Sequence, residues 1–267
     1  MSETLTLAVA QSPGELTGPD ERLDWLAEQC ARLNHVDLLL LPELFLTGYN
    51  IGDQVKAWAE PADGKSFQNI AALAQRHGIT IHYGYAEKAN GHLYNAAQAI
   101  SPDGQRCHHY RKHLLPPGFE STYFTTGDQA HLFSLKGFRI TTLICYDAEY
   151  AELARHVAAM GADIILVPTA LGAQWGWVAR QMIPTRAYEN GVFLAYANHA
   201  GQENELAYLG ESFIAGPGGV ELARASAAPT LIEATLSRQD LDKARARLPY
   251  LQDRLNITMT NQPPISP

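Results

Sequence analysis

The chain has 267 residues, 46% hydrophobic and 18% charged, enough for one large core and unlike a disordered or collagenous sequence. Its formal net charge of -8 argues against nucleic acid or an anionic membrane surface, both of which select clustered Lys and Arg, and leaves a small molecule as the expected partner. Cys30, Cys107 and Cys145 are odd in number and widely spaced, and MSETLTLAVAQ is no leader sequence, so a reducing, cytoplasmic setting is expected.

In chain order, residues 5–11 predict a first strand and 19–34 an amphipathic helix with Leu23, Leu26, Ala27, Cys30 and Leu33 on one face. Residues 36–43 (VDLLLLPE) are too uniformly apolar to face water on either side and predict a fully buried strand. A helix over 66–78, capped by Ser66 and closed by Gly78, precedes a strand over 79–87. Strands near 93–100 and 105–111 flank the turn sequence SPDG. A strand at 138–145, a helix at 150–161 and a strand at 162–169 follow. Then come a helix at 177–190 in spite of Pro184, a strand at 192–198, strands near 211–215 and 230–235, and an extended tail from Pro249. The alternation predicts an α/β fold in one domain, 1–267, without repeat or linker.

Sites in α/β folds form where strands end, and three strand ends carry chemistry. Glu43 follows Pro42 at the end of the apolar run; an apolar setting raises a carboxyl pKa toward that of a general base, whereas a solvated or ion-paired acid is the plainer reading. In HHYRKHLLPPGFE, Lys112 can supply charge to a thiolate or an oxyanion, and the plainer reading is a solvated basic turn. Histidines 108, 109 and 113 raise the question of a metal, but no HExxH or CxxC spacing accompanies them. Cys145 ends ITTLIC with Asp147, Glu149 and Glu152 close behind; the acids disfavour a thiolate and a following helix N-terminus favours one. Cys145 is therefore either a small core thiol or a nucleophile activated from elsewhere in the chain.

LLLLPELFLTGY, YRKHLLPPGFESTYFTTGD and ITTLICYDAEYAELAR resemble, in order, the three signature blocks of the nitrilase superfamily, the carbon–nitrogen hydrolases. DIILVPTA, RAYENGVFLAYAN and GESFIAGPGG extend the resemblance over about residues 5–236. It implies a four-layer αββα sandwich, no metal or organic cofactor, and a homodimer or higher homo-oligomer. It assigns Glu43 as general base, Lys112 as the family lysine, Cys145 as nucleophile, and Glu120 as the second glutamate that positions lysine and substrate. The implied reaction is hydrolysis of an amide through a thioester, with the oxyanion held by Lys112 and the Tyr146 N–H. The candidate substrate-binding residues are Tyr49, Tyr146, Glu149, Thr169, Ala170 and Trp175.

Cys145-Tyr146-Asp147 stands where true nitrilases have Cys-Trp-Glu, which favours an amidase. Glu149 occupies the place where amidases of carboxylated substrates commonly carry Arg, and an acid there predicts a neutral or cationic amide; the plainer reading is a first-turn helix acid. PELFLTGYNIGDQV, AEPADGKS and YANHAG resemble the 5-aminopentanamidases and related stereoselective aliphatic amidases. Trp175 and Trp177 either stack on an ammonium or fill an interface with a partner subunit. The competing expectations are an N-carbamoyl amine amidohydrolase, an ω-amidase on a carboxylated amide, and a binding protein without turnover.

Overall fold

In the computed structural model, which describes residues 3–258, the alternation resolves into two sheets stacked face to face. The first half of the chain forms β1 (Thr4–Pro13), α1 (Gly18–Arg32), β2 (Leu38–Leu40), α2 (Gln54–Trp58), α3 (Lys65–His77), β3 (Thr80–Ala89), β4 (His92–Ile100), β5 (Arg106–Arg111) and α4 (Phe119–Tyr123). Next come β6 (Phe133–Leu135), β7 (Phe138–Thr142), α5 (Tyr146–Glu149), α6 (Ala151–Ala159), β8 (Ile164–Pro168), α7 (Ile183–Asn190) and β9 (Phe193–Ala197). The chain closes with β10 (His199–Ala200), β11 (Gln202–Glu203), β12 (Leu206–Ala207), β13 (Phe213–Ala215), β14 (Glu221–Arg224), β15 (Thr230–Ser237), α8 (Arg238–Arg247) and α9 (Tyr250–Asp253). One sheet runs β10-β1-β2-β3-β4-β5 with β15 against β1, and the other runs β14-β13-β9-β8-β7-β6.

The strand side chains show why these are four layers. Leu38 and Leu40 point, with Leu5, Leu7 and Val9, at Ile140, Ile164, Leu166 and Phe193 of the facing sheet. Leu39 and Leu41 point the other way, onto Leu26 and Cys30 of α1 and Ile70 and Ala74 of α3. The second sheet buries Ile165, Val167 and Leu194 against Val157 of α6 and Ala187 of α7. The order is helix, sheet, sheet, helix, and the LLLL run is apolar throughout because both of its faces are covered. Each such leucine contributes about 1.5–3 kcal/mol on burial.

Several boundaries depart from expectation for local reasons. The 36–43 strand is regular only over Leu38–Leu40, with single pairing bonds at Asp37 and Leu41, because the chain turns away at Pro42. Ser66 does not cap α3: the helix begins at Lys65, and the Ser66 hydroxyl donates to Glu60 at 2.7 Å. Gly78 does close it, at φ 65. Pro184 is accommodated by a π-helical turn over Val178–Met182, which leaves the proline in the first turn of α7, where its missing N–H costs nothing. The extended tail expected from Pro249 is corrected over the described residues. Tyr250–Asp253 and Arg254–Asn256 are helical turns, with the Tyr250 ring 6.1 Å from that of Tyr188 and Leu251 packed on the core. Residues 259–267 of that tail lie outside the described residues.

Candidate active site

Glu43, Lys112, Cys145 and Thr169 each follow directly, or within three residues, the C-terminal end of a strand: β2, β5, β7 and β8. Stacking the two sheets brings these ends together. The turn after Glu43 lies against β3, where Leu46 N–H donates to the Gly84 carbonyl at 3.0 Å. A Cβ on Gly84 would stand 2.5 Å from the Leu44 nitrogen and 2.6 Å from the Pro42 carbonyl, so the close approach requires glycine.

Glu43, Lys112 and Glu120 are fully or almost fully buried. The Lys112 ammonium donates to Glu43 Oε1 at 2.7 Å and to Glu120 Oε1 at 2.6 Å. Asn95 of β4 bridges the same two acids, its Nδ2 donating to Glu43 Oε1 at 2.8 Å and Glu120 Oε2 at 2.9 Å. The Tyr49 hydroxyl adds a donor to Glu120 Oε1 at 2.9 Å. One cation thus serves two carboxylates. Burial lifts the Glu43 pKa, Lys112 pulls it down and Glu120 pushes it up, and the balance stands at about 7. Burial opposes the Lys112 charge, but Glu43 and Glu120 hold its pKa well above the ordinary lysine range. Glu43 Oε2 has no hydrogen-bond partner among the described residues.

Cys145 sits at φ 46 and ψ -105, a left-handed conformation that is rare for a residue with a Cβ and aims its side chain out of the strand direction. Its N–H is tied to the Pro168 carbonyl at 2.9 Å. Burial, then Glu43, push the thiol pKa well up against the opposing pull of Lys112. The expected help from a helix is one short turn, α5, so burial and Glu43 both favour the thiol over the thiolate. Among the described residues the Tyr146 N–H donates to no acceptor, so it is free for an incoming oxygen.

Asp147 does not face the site. Its carboxylate accepts the Tyr110 hydroxyl at 2.8 Å and the His113 and Leu114 N–H groups at 3.2 and 2.8 Å, binding the turn after Cys145 to the segment after Lys112. Glu149 does face it. It is half-buried on the wall of a cavity of about 450 Å³, and burial raises its pKa against the pull of Lys112 and Arg186. Arg186 is committed elsewhere, to the Ala148 and Glu149 carbonyls at 3.2 and 2.6 Å and to Glu189 at 3.0 Å. Among the described residues the Glu149 carboxylate has no ion pair.

Cys145, Tyr49, Tyr146, Glu149, Ala170 and Trp175 line this cavity together with Pro116, Pro117 and Leu206. Thr169 is fully buried, its hydroxyl accepting from the Tyr196 hydroxyl at 3.2 Å, and is not on the cavity wall. Trp175 lines the cavity at 57% exposure, and Trp177, at 65%, lies outside it. Asn95 is a polar residue that sequence reasoning missed; the available signal was an asparagine, a residue depleted in strands, inside a strand. Among the described residues no group of three or more His, Cys, Asp or Glu could hold a metal ion, and His108 bonds Thr142 at 3.1 Å between the sheets.

A model of the carbon–nitrogen hydrolase family matches residues 6–246. The chain belongs to that family, within the nitrilase superfamily, and is a hydrolase of the amidase kind, acting on carbon–nitrogen bonds other than peptide bonds. It is 43% identical, over 94% of its length and 90% of the other's, to a Pseudomonas protegens protein described as a hydrolase in the pqqF 5' region. It is 32% identical to an (R)-stereoselective amidase of Pseudomonas sp, over 82% of this chain and 79% of that one. Among solved structures it resembles the amidase of Nesterenkonia sp. AN1 at TM-score 0.81 and 30% identity, covering 95% of this chain and 94% of that one. That amidase has been solved with the acetamide moiety of fluoroacetamide on its active-site cysteine, and in complex with butyramide.

Proposed function

We propose that the chain hydrolyses a small aliphatic amide to carboxylate and ammonia through a thioester on Cys145. The observation that carries this reading is the buried Glu43–Lys112–Glu120 cluster, whose Glu43 keeps one oxygen unpartnered and titrates at about 7 beside a thiol opening on a cavity. As the sulfur attacks the amide carbon, Glu43 takes the thiol proton, and Lys112 with the Tyr146 N–H holds the oxyanion. Glu43 returns the proton to the nitrogen, and ammonia leaves as the C–N bond breaks. A water then gives its proton to Glu43 as it attacks the thioester; the acid leaves, and the proton returns to sulfur. Glu120 accepts from Lys112 and keeps it in place.

The substrate in this reading is neutral or cationic, such as an ω-amino amide of the 5-aminopentanamide kind. An unpaired Glu149 on the cavity wall supports it, since a substrate carboxylate beside it would be repelled in a desolvated pocket. Butyramide bound to a structural relative agrees with a neutral aliphatic amide. Ammonia release screened over 5-aminopentanamide, butyramide, N-carbamoylputrescine and an ω-amidocarboxylate tests the reaction and the pocket together. Turnover of the carboxylated amide alone would sink the Glu149 argument, and turnover of N-carbamoylputrescine alone would favour the carbamoyl reading. Cys145→Ala is expected to abolish ammonia release with the fold retained by circular dichroism. The reading carries a cytoplasmic homodimer or higher homo-oligomer, for which exposed Trp177 suits a subunit contact, and sedimentation tests it.

A further inference from the structure

The turn that carries the chain from Glu43 to Tyr49 has local hydrogen bonds of its own, such as Gly48 N–H to the Leu44 carbonyl at 2.8 Å, but they do not hold it alone. Leu44 sits at φ 48 and Gly48 at φ 91, and a leucine keeps such a conformation only where its surroundings over-determine it. Two side chains from more than 150 residues away do so. At one end His199 Nε2 donates to the Glu43 carbonyl at 2.8 Å, while its Nδ1 accepts from the Ser12 hydroxyl at 2.9 Å. At the other end Glu203 of β11, 6% exposed, takes the Tyr49 N–H at 3.0 Å and the Asn50 N–H at 2.5 Å on a single oxygen, Oε2.

That oxygen also accepts the Tyr208 hydroxyl at 2.6 Å, and Oε1 accepts the Arg22 guanidinium at 3.0 Å. Arg22, 1% exposed, donates besides to the Phe45 and Leu16 carbonyls at 3.1 and 2.7 Å. The Tyr208 ring lies 4.9 Å from that of His199, so both clamps belong to one packed unit. Four donors on one buried carboxylate are what an ionised acid can accept; an amide would turn its own N–H toward the guanidinium. The clamp acts on a residue whose far end matters. The Tyr49 hydroxyl is 2.9 Å from Glu120 Oε1, the oxygen that holds the Lys112 ammonium at 2.6 Å.

We propose that Glu203 is a positioning residue of the amidase reaction: by fixing the Tyr49 and Asn50 peptides it keeps the Tyr49 hydroxyl on Glu120, and through it sets the place of the Lys112 ammonium. This rests on the reading of Glu43, Lys112 and Cys145 as the reacting groups. It gives the small hairpin of β11 and β12 a task beyond the cavity wall, to which it contributes Leu206.

The experiment is a double-mutant cycle between Glu203→Gln and Tyr49→Phe, read as kcat and KM for ammonia release. Glu203→Gln is expected to lower kcat about tenfold or more with a smaller change in KM, as a misplaced catalytic group does. In the Tyr49→Phe background, where no hydroxyl remains to be placed, the same change is expected to cost less than about twofold. Equal losses in both backgrounds, or a fully active Glu203→Gln enzyme, overturn the proposal. If Glu203→Gln alone fails to fold because Arg22 is left buried without a counter-ion, the pair Arg22→Met with Glu203→Gln takes its place in the same cycle. Ammonia release that survives Cys145→Ala would instead sink the chemical reading beneath the proposal, a result that leaves the cycle's pattern untouched.

Discussion

Arg111 and Lys112 are neighbours at the end of one strand, yet the glutamates they meet are driven in opposite directions. Glu87 receives a two-pronged guanidinium from Arg111, at 2.9 and 2.6 Å, and the His109 ring at 2.9 Å, with both partners about 30% exposed. Burial pushes the Glu87 pKa up, but those donors outweigh it and bring it to about 2. Glu43, itself fully buried, shares a single ammonium with a second acid and rises to about 7. The contrast lies in the ratio of cations to carboxylates and in access to solvent. A cation of its own, with further donors, makes an acid inert and structural, whereas half a share of one under burial makes an acid that can exchange a proton at neutral pH.

The widest break in this comparison comes from neutralising each acid in turn. Glu43→Gln is expected to lower kcat by about 10²–10⁴, the usual worth of a general base, while Glu87→Gln leaves kcat unchanged. Comparable losses from both would mean that the Glu43 cluster is only another structural ion pair. Removing the cations separates the two sites by stability instead. Lys112→Met leaves two carboxylates buried with no cation and is expected to cost about 3–5 kcal/mol in urea unfolding, against about 1 kcal/mol or less for the part-exposed Arg111→Met.

Titration separates the sites more gently. Only ionised Glu43 can accept the thiol proton, so kcat/KM is expected to fall as pH drops below about 7. For stability the signs differ. Glu43, raised from 4.5 to about 7 by folding, binds more protons folded than unfolded between those values, so acidification across that range favours the folded state through it. Glu87, lowered from 4.5 to about 2, stabilises above its unfolded value and loses that contribution as pH falls through about 2. In thermal melts from pH 7 to pH 2, Glu43→Gln should therefore lose stability relative to the parent on acidification, while Glu87→Gln gains on it.

Glu43 and Cys145 stood out in the sequence because each follows a run of apolar residues, whereas Lys112 follows the polar run RCHHYR and Glu120 was singled out only by the family resemblance. The sheets were legible from the same apolar runs: Leu38 to Leu41 announce a strand covered on both faces. What was not legible is whatever depends on a distant partner. Asn95 matters because two acids converge on it, one from the turn after β2 and one from α4, and its own strand offers only the oddity of an asparagine, not the partners that give it a role. The helix α8 buries only Leu241, too little for an apolar stripe, and so passed unseen. Asp147 reads in the sequence only as an acid close behind Cys145, and its role is set by three hydrogen bonds, to Tyr110, His113 and Leu114, from another part of the chain.

Those three bonds also bear on how the enzyme fails on heating. Because Asp147 locks the nucleophile's turn to the segment just after Lys112, sulfur and ammonium travel as one piece, whereas Trp175, on a single 3-10 turn at the mouth, is held far more loosely. The aim of the reaction should then outlast the grip on the substrate: as temperature rises, KM climbs first, and kcat gives way only when the sheets themselves part.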